Sequence, residues 1–239
     1  MMGNREKWNN LYNDLSNKKR DMPTVQSVPE VESWGKTTED KILEESVREG
    51  DRCILDLGTG IGANLATALV ANPQMSAVGI DISDVAVEIG NKLIEENHFQ
   101  NRMKLLRAGL LDDWANKVNQ KFDIVSAICC IQFCRMSEMK KLTQQIKRVV
   151  KPKGRFVCKC RSTSRDVPDT YIECDEENTY ISYEPHEYGM VYHHYSREDM
   201  LEIADKLGGK VVLLREELKY REYDKFPQRG WWEMVVDFL

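Results

Sequence analysis

The sequence lacks a surplus of basic residues. Its 239 residues include 34 Lys and Arg against 39 Asp and Glu, which gives a formal net charge of -5 at pH 7. Neutralisation of phosphates by Lys and Arg supplies much of the affinity of proteins for nucleic acids. The charge balance therefore disfavours a nucleic-acid substrate.

The sequence also lacks a long apolar run. One of its longest, residues 124–131, is far shorter than the roughly 20 residues that a membrane-spanning helix requires. Residues 1–20 are polar and contain no apolar core of the kind found in a secretory signal. We expect a soluble cytoplasmic protein that does not associate with membranes.

Paired C-x-x-C motifs of the kind that hold zinc are absent, although the chain has 7 Cys. An odd number of Cys without an export signal also argues against a disulfide framework. Cysteine is an ordinary buried residue on strands. We expect reduced thiols, mostly in the core, and no metal.

Short apolar runs alternate with longer helical patterns from residue 50 onward, and this alternation is typical of a parallel sheet with helical crossovers. The chain length suits one domain with a small insertion. The sequence thus predicts an α/β, doubly wound, mostly parallel sheet of seven strands. The predicted strands are 53–57, 77–80, 103–106, 122–127, 155–158, 210–214 with an extension towards 220, and 231–239.

Two segments depart from this alternation. Residues 1–38 are polar with scattered aromatics and predict an N-terminal arm or lid, so that 39–239 forms the domain itself. Residues 161–195 are rich in Tyr, Glu, Asp and Pro without a helical period, and they predict a small cap insertion. The aromatics Trp8, Tyr12 and Trp34 either fold over a ligand or anchor the arm.

The clearest motif is a predicted strand that runs into a glycine turn and then a helix, with Asp56, Gly58, Thr59, Gly60 and Gly62 in the order D-x-G-T-G-x-G. Glycines let the backbone approach a ligand closely, and the helix start offers free amides. About twenty residues later Asp81, with Ile82 beside it, ends the next strand, where a carboxylate can accept ribose hydroxyls. The motif predicts a nucleoside site. Dinucleotide-binding dehydrogenases use a related turn, but the early third glycine disfavours that class.

This motif resembles motif I of the class I, Rossmann-like S-adenosylmethionine-dependent methyltransferases, and the likeness extends over about 39–239. The resemblance implies S-adenosyl-L-methionine as cofactor, Asp56 near its methionine portion and Asp81 on its ribose. It also implies a C-terminal antiparallel hairpin. Where the family commonly has an acidic adenine-binding residue this chain has Leu110, so either Asp112 or the backbone amides of Leu110 and Leu111 contact the base.

Family members that methylate amide or adenine nitrogens usually carry Asn/Asp-Pro-Pro-Tyr/Phe after the fourth strand, whereas this chain has Cys-Cys-Ile-Gln-Phe at 129–133. The likeness therefore implies in-line methyl transfer to a small molecule, and the acceptor atom can be O, N or S. His193 and His194 are candidate general bases in the cap, because imidazole titrates near neutrality. The alternatives are a catalytically silent cofactor-binding partner module and a protein or nucleic-acid methyltransferase. The sequence leaves the oligomeric state open.

Overall fold

The computed structural model describes residues 4–17, 41–185, 187–220 and 228–239. Trp34 and His186 lie outside these residues. The helices are α1 (Asn4–Asn17), α2 (Ile42–Ser46), α3 (Ala63–Ala71), α4 (Asp84–Glu96), α5 (Trp114–Val118), α6 (Met139–Val149) and α7 (Arg197–Leu207). The strands are β1 (Cys53–Leu57), β2 (Ser76–Asp81), β3 (Met103–Arg107), β4 (Phe122–Ile128), β5 (Val150–Arg161), β6 (Tyr171–Glu173), β7 (Thr179–Ser182), β8 (Val191–His193), β9 (Lys210–Tyr220) and β10 (Gln228–Asp237).

The main sheet has seven strands in the order β3-β2-β1-β4-β5-β10-β9. The first five strands of this order pair in parallel, and β10 runs antiparallel to both β5 and β9. Strands β1 and β4 are nearly continuous apolar runs because helices cover both faces of the sheet. The predicted α/β fold with an antiparallel C-terminal hairpin is confirmed.

Each face of the sheet buries its own apolar layer, as the doubly wound topology requires. One layer packs α5, α6 and α7 against the sheet around Trp114, Phe156 and Tyr195. The other packs α2, α3 and α4 around Leu65, Leu69 and similar residues. Helix α7 begins at a capping box of Ser196 and Asp199. Among the described residues, no helix is long and apolar enough to cross a membrane.

The predicted cap contains a small antiparallel sheet of its own, with the strand order β6-β7-β8. It lies between β5 and α7 in the chain, at the carboxyl end of the parallel strands. Helix α1 bridges this cap and the main domain. Arg5 and Asn9 donate to Asp84 at the start of α4, and Lys7 donates to the carbonyl of Gly189 in the cap at 2.6 Å.

Gly90 lies inside α4, where alanine would normally stabilise a helix by up to about 1 kcal/mol. A Cβ at this position would lie only 2.6 Å from the carbonyl oxygen of Ile61, which belongs to the glycine turn. We expect Gly90→Ala to lower the free energy of unfolding by about 1–3 kcal/mol, because the backbone would have to move. Urea unfolding measures this, with the exposed Lys92→Ala as the control on the same helix. A variant as stable as the parent chain would contradict the packing described.

Candidate functional site

The glycine turn between β1 and α3 is held in a conformation that L side chains rarely adopt. Gly58, Gly60 and Gly62 have φ angles of 67°, 59° and 90°. A Cβ on Gly58 would lie 2.5 Å from the Cβ of Cys130, which follows β4. The backbone conformation and the close approach of these two chain segments therefore both require glycine here.

Asp81 ties the end of β2 to this turn. Its carboxylate accepts the backbone amide of Gly60 at 2.8 Å and that of Ser83 at 2.9 Å. Burial raises the pKa of this carboxyl, while the amides of Ser83, Gly60 and Ile82 lower it. Each carboxylate oxygen has more than one acceptor site, so Asp81 can accept ligand hydroxyls in addition.

Asp56 lies at the buried end of β1, where its register partner on β4 is Ser126. The Ser126 hydroxyl donates to the Asp56 carboxylate at 2.7 Å. Burial raises the pKa of Asp56 to about 6. This carboxyl therefore titrates just below neutral pH, and a nearby positive charge would favour its ionised form.

A cavity of about 290 Å³ opens beside the glycine turn. At one end lies the loop after β3, where Asp112 accepts the amide of Gly109 at 2.8 Å and closes the loop on itself. At the other end lie thiols and an aromatic ring from the segment after β4. The lining residues are Trp8, Tyr12, Gly58, Asp81, Ile82, Ala108, Gly109, Leu110, Leu111, Asp112, Cys129, Cys130, Phe133 and Cys134.

Helix α1 supplies the outer wall of this cavity. The Tyr12 hydroxyl lies 2.6 Å from where a Cβ on Gly60 would be, so it covers the turn. Burial, with the charge of Asp81, raises the Tyr12 pKa. The ring of Trp8 packs edge-on against Phe133 with centroids 5.0 Å apart. Trp8 and Tyr12 therefore both line the cavity and anchor the arm, so the two readings of these aromatics are compatible.

The predicted cofactor residues fall into two groups. Six of them line the cavity: Gly58, Asp81, Ile82, Leu110, Leu111 and Asp112. Four others form the turn and its support without lining it: Asp56, Thr59, Gly60 and Gly62. The sequence reasoning missed Cys129, Cys130, Phe133 and Cys134 as wall residues, although their position after the carboxyl end of the fourth predicted strand could have indicated them.

The structure places neither candidate histidine among the described residues that line the cavity. The Nδ1 of His193 is 2.7 Å from the Thr179 hydroxyl, and its Nε2 is 3.7 Å from Asp199. His193 therefore joins β7 to the start of α7. His194 is 1% exposed, and neither ring nitrogen has a hydrogen-bond partner among the described residues. Burial, with the charges of Arg161 and Arg165, lowers its pKa to about 3.

A protein-family model described as "Methyltransferase domain" matches residues 49–209, well over half of the chain. The chain belongs to this family. The methyltransferase family expected from the sequence is confirmed. The match includes the glycine turn, Asp81, the loop after β3 and the segment after β4, whereas α1, which forms the outer wall of the cavity, precedes the matched residues.

Individual relatives have different acceptors. The chain is 33% identical over 102 residues to the release factor glutamine methyltransferase of Agrobacterium fabrum, covering 43% of this chain and 34% of that protein. It is 27% identical over 84 residues to the rRNA N(6)-adenosine-methyltransferase metl-5 of Caenorhabditis elegans, covering 35% and 39%. The chain thus spans between a third and two fifths of these curated relatives.

Among solved structures, a SAM-dependent methyltransferase from Anabaena variabilis superposes with a TM-score of 0.67 at 13% identity. That superposition covers 100% of this chain and 96% of the other. At such low identity the likeness shows the fold alone. It nevertheless includes the antiparallel strand pair at the C-terminus.

The residues present fit S-adenosylmethionine, the cofactor expected from the sequence. The turn at Gly58 and Gly60 leaves no room for a Cβ, as a backbone that closely approaches a ligand requires. The Asp81 carboxylate lines the cavity and can accept hydroxyl groups. The loop from Ala108 to Asp112 gives the apolar walls that a planar base requires.

Asp56→Asn should change how stability depends on pH. The pKa of this carboxyl is about 6 in the folded chain and about 3.9 when unfolded, so folding favours its protonated form. That stabilisation is complete below pH 4 and is lost as the pH rises through 6. Between pH 4 and 7.5 the parent chain should therefore lose up to about 3 kcal/mol relative to the variant.

Urea unfolding of the cofactor-free parent chain and variant at several pH values measures this difference. Asn keeps an oxygen that can accept the Ser126 hydroxyl, so the comparison isolates the charge. Parallel stability curves across the pH range would show that Asp56 does not titrate in this window.

Proposed function

We propose that this chain transfers the methyl group of S-adenosylmethionine to a small-molecule acceptor by in-line displacement. The observation that supports this most directly is one cavity that combines the glycine turn, Asp81 and the wall after β4. When bound, the cofactor supplies a methyl group activated by a positively charged sulfur.

The chain's own residues hold and enclose the reactants in this proposal. Asp81 accepts the ribose hydroxyls, and Leu110 and Leu111 enclose the adenine with Asp112 beside them. Asp56 lies beneath the turn, where a cationic amino group would keep its carboxyl ionised. The Trp8 and Tyr12 rings exclude water from above. Correct positioning and exclusion of water can supply much of the rate enhancement.

Three features support a small acceptor. Helix α1 covers the cavity, and the hydrogen bond from Lys7 to the Gly189 carbonyl holds this helix to the cap. The segment after β4 lacks the Asn/Asp-Pro-Pro-Tyr/Phe sequence usual in enzymes for amide and adenine nitrogens, the acceptor types named in the two curated relatives. The net charge of -5 gives no general attraction for RNA.

The first test measures how Asp81 contributes to cofactor binding. We expect Asp81→Ala to weaken binding of S-adenosylhomocysteine by roughly 1.5–3 kcal/mol, about 10- to 150-fold in Kd, because hydrogen bonds from ligand hydroxyls to a carboxylate are lost. Calorimetric titration measures this, and Asp113→Ala at an exposed position is the control. An unchanged Kd in a variant that circular dichroism shows to be folded would place the ribose elsewhere.

The acceptor is tested with radiolabelled S-adenosylmethionine and three pools: small metabolites, total RNA and ribosomal proteins. Label transferred to a metabolite supports the proposal. Label in RNA or protein alone would favour the macromolecular alternative. Cofactor binding without transfer to any pool would favour the silent partner module.

A histidine of the cap acts as the proton acceptor in this reaction. His194 suits that role better than His193, because the Nδ1 of His193 is hydrogen-bonded to the Thr179 hydroxyl. If His194 removes the acceptor's proton, His194→Ala should lower kcat about 100-fold and leave the Kd of S-adenosylhomocysteine unchanged. His193→Ala is the matched control, because its loss should reduce stability instead. Normal turnover of the His194 variant from pH 6 to 9 would show that positioning alone suffices.

A further inference from the structure

Positively charged side chains crowd together at the carboxyl end of β5, beside the residues that line the cavity. Arg161 is the last residue of β5, and Arg165 lies in the turn that follows. Arg229 lies at the start of β10. Burial, followed by the charges of Arg161 and Arg229, lowers the pKa of Arg165 to about 10. Arg161 and Arg229 are therefore close enough to Arg165 to repel its charge.

The described carboxylates do not compensate the charges of Arg161 and Arg165. The buried Nε of Arg161 and Nη1 of Arg165 have no hydrogen-bond partner there, and no described carboxylate forms a salt bridge with either side chain. Glu187, which acts on Arg165 at longer range, already accepts the Tyr171 hydroxyl at 2.5 Å. Burying an uncompensated charge costs free energy, so such a cluster is typical of a site that binds an anion.

Hydrogen bonds to β10 hold the turn that carries Arg165. The amide of Ser162 donates to the carbonyl of Gly230 at 3.1 Å, and the amide of Asp166 donates to that of Gln228 at 3.1 Å. In return, the amide of Gln228 donates to the Asp166 carboxylate at 2.8 Å. A Cβ on Gly230 would meet the Ser162 hydroxyl, so the turn packs directly on β10. A rigid turn reduces the entropy lost when a ligand binds.

Aromatic rings connect this cluster to the cavity. The Arg161 guanidinium lies 3.9 Å from the centre of the Tyr192 ring, and that ring is 4.9 Å from Phe133, which lines the cavity. On the other side Arg165 lies 5.2 Å from the centre of the Trp231 ring. Flat cationic and aromatic surfaces of this kind suit a planar ligand.

The cap contributes an unsatisfied polar group at the same place. The buried imidazole of His194 lies near both Arg161 and Arg165, since both charges lower its pKa. Neither of its nitrogens has a described partner. A neutral imidazole carries one N–H donor, which an anionic oxygen could accept.

We propose that Arg161 and Arg165 bind the oxyanion of a planar, acidic methyl acceptor, a carboxylate or a phosphate, while the acceptor's ring extends past Tyr192 and Phe133 towards the cofactor cavity. This inference rests on the proposed function for the role of the ligand as methyl acceptor. The anion site itself is tested without methyl transfer.

Calorimetry with benzoate, benzamide and inorganic phosphate tests the site, with and without saturating S-adenosylhomocysteine. We expect saturable benzoate binding that weakens at least tenfold in Arg161→Gln and in Arg165→Gln. Arg165→Lys should retain part of the affinity, and the exposed Arg148→Gln should retain all of it. Benzamide, which has the same ring without the charge, should bind no more tightly to the parent chain than to the variants. Phosphate that competes with benzoate supports a shared oxyanion site, whereas phosphate that binds where benzoate does not supports a phosphorylated acceptor.

Failure of both anions to bind the parent chain, or equal affinity in Arg165→Gln, would overturn the proposal. Arg165 lies in a turn after β5 and not in a strand, so its variant decides the question if Arg161→Gln does not fold by circular dichroism. Binding of S-adenosylhomocysteine should remain unchanged in both variants. If the parent chain bound the anions but not S-adenosylhomocysteine, the proposed function would fail and the anion site would stand.

Discussion

The hydrogen bond from the Gly60 amide to Asp81 is the interaction on which the site depends. It joins the glycine turn after β1 to the end of β2, so that two neighbouring parallel strands present their carboxyl ends as one surface. The same carboxylate accepts the Ser83 amide at the start of α4. Because Ile61 of the turn also rests against Gly90 of α4, the position of the turn is fixed from two sides. A ligand that binds Asp81 therefore meets a backbone that is already in place.

Helix α1 extends this constraint to the outer side of the cavity. Asn9 accepts the Ser83 hydroxyl at 2.8 Å, so the helix is fastened to the same chain segment that Asp81 organises. From there Tyr12 reaches over Gly60, and Trp8 reaches Phe133. The position of α1 and the arrangement of the surface beneath it are thus coupled through one short stretch of backbone, because the residues that hold α1 are those that begin α4.

Sequence periodicity predicts the sheet well because buried parallel strands are continuous apolar runs. The capping box at Ser196 is also predictable, because it depends only on residues three positions apart in the chain. The predicted strand 155–158 is shorter than β5, which begins at Val150. The difference arises because β5 includes Pro152 and Gly154, residues that a sequence pattern assigns to a turn. The role of Tyr12 could not be read from sequence, because its contact with Gly60 joins residues far apart in the chain. The cluster around Arg165 likewise depends on the packing of a turn against β10.

The arginine cluster changes how a base in the cap would operate. In the ligand-free chain His194 has a pKa of about 3, chiefly from burial and then from Arg161 and Arg165, so it is neutral and a weak proton acceptor at pH 7. An oxyanion held by these arginines would cancel part of their field, and the pKa of the imidazole would rise towards neutrality. A general base is most effective when its pKa lies near the working pH. An acidic acceptor would therefore make His194 a stronger proton acceptor, whereas a neutral molecule would leave its pKa low.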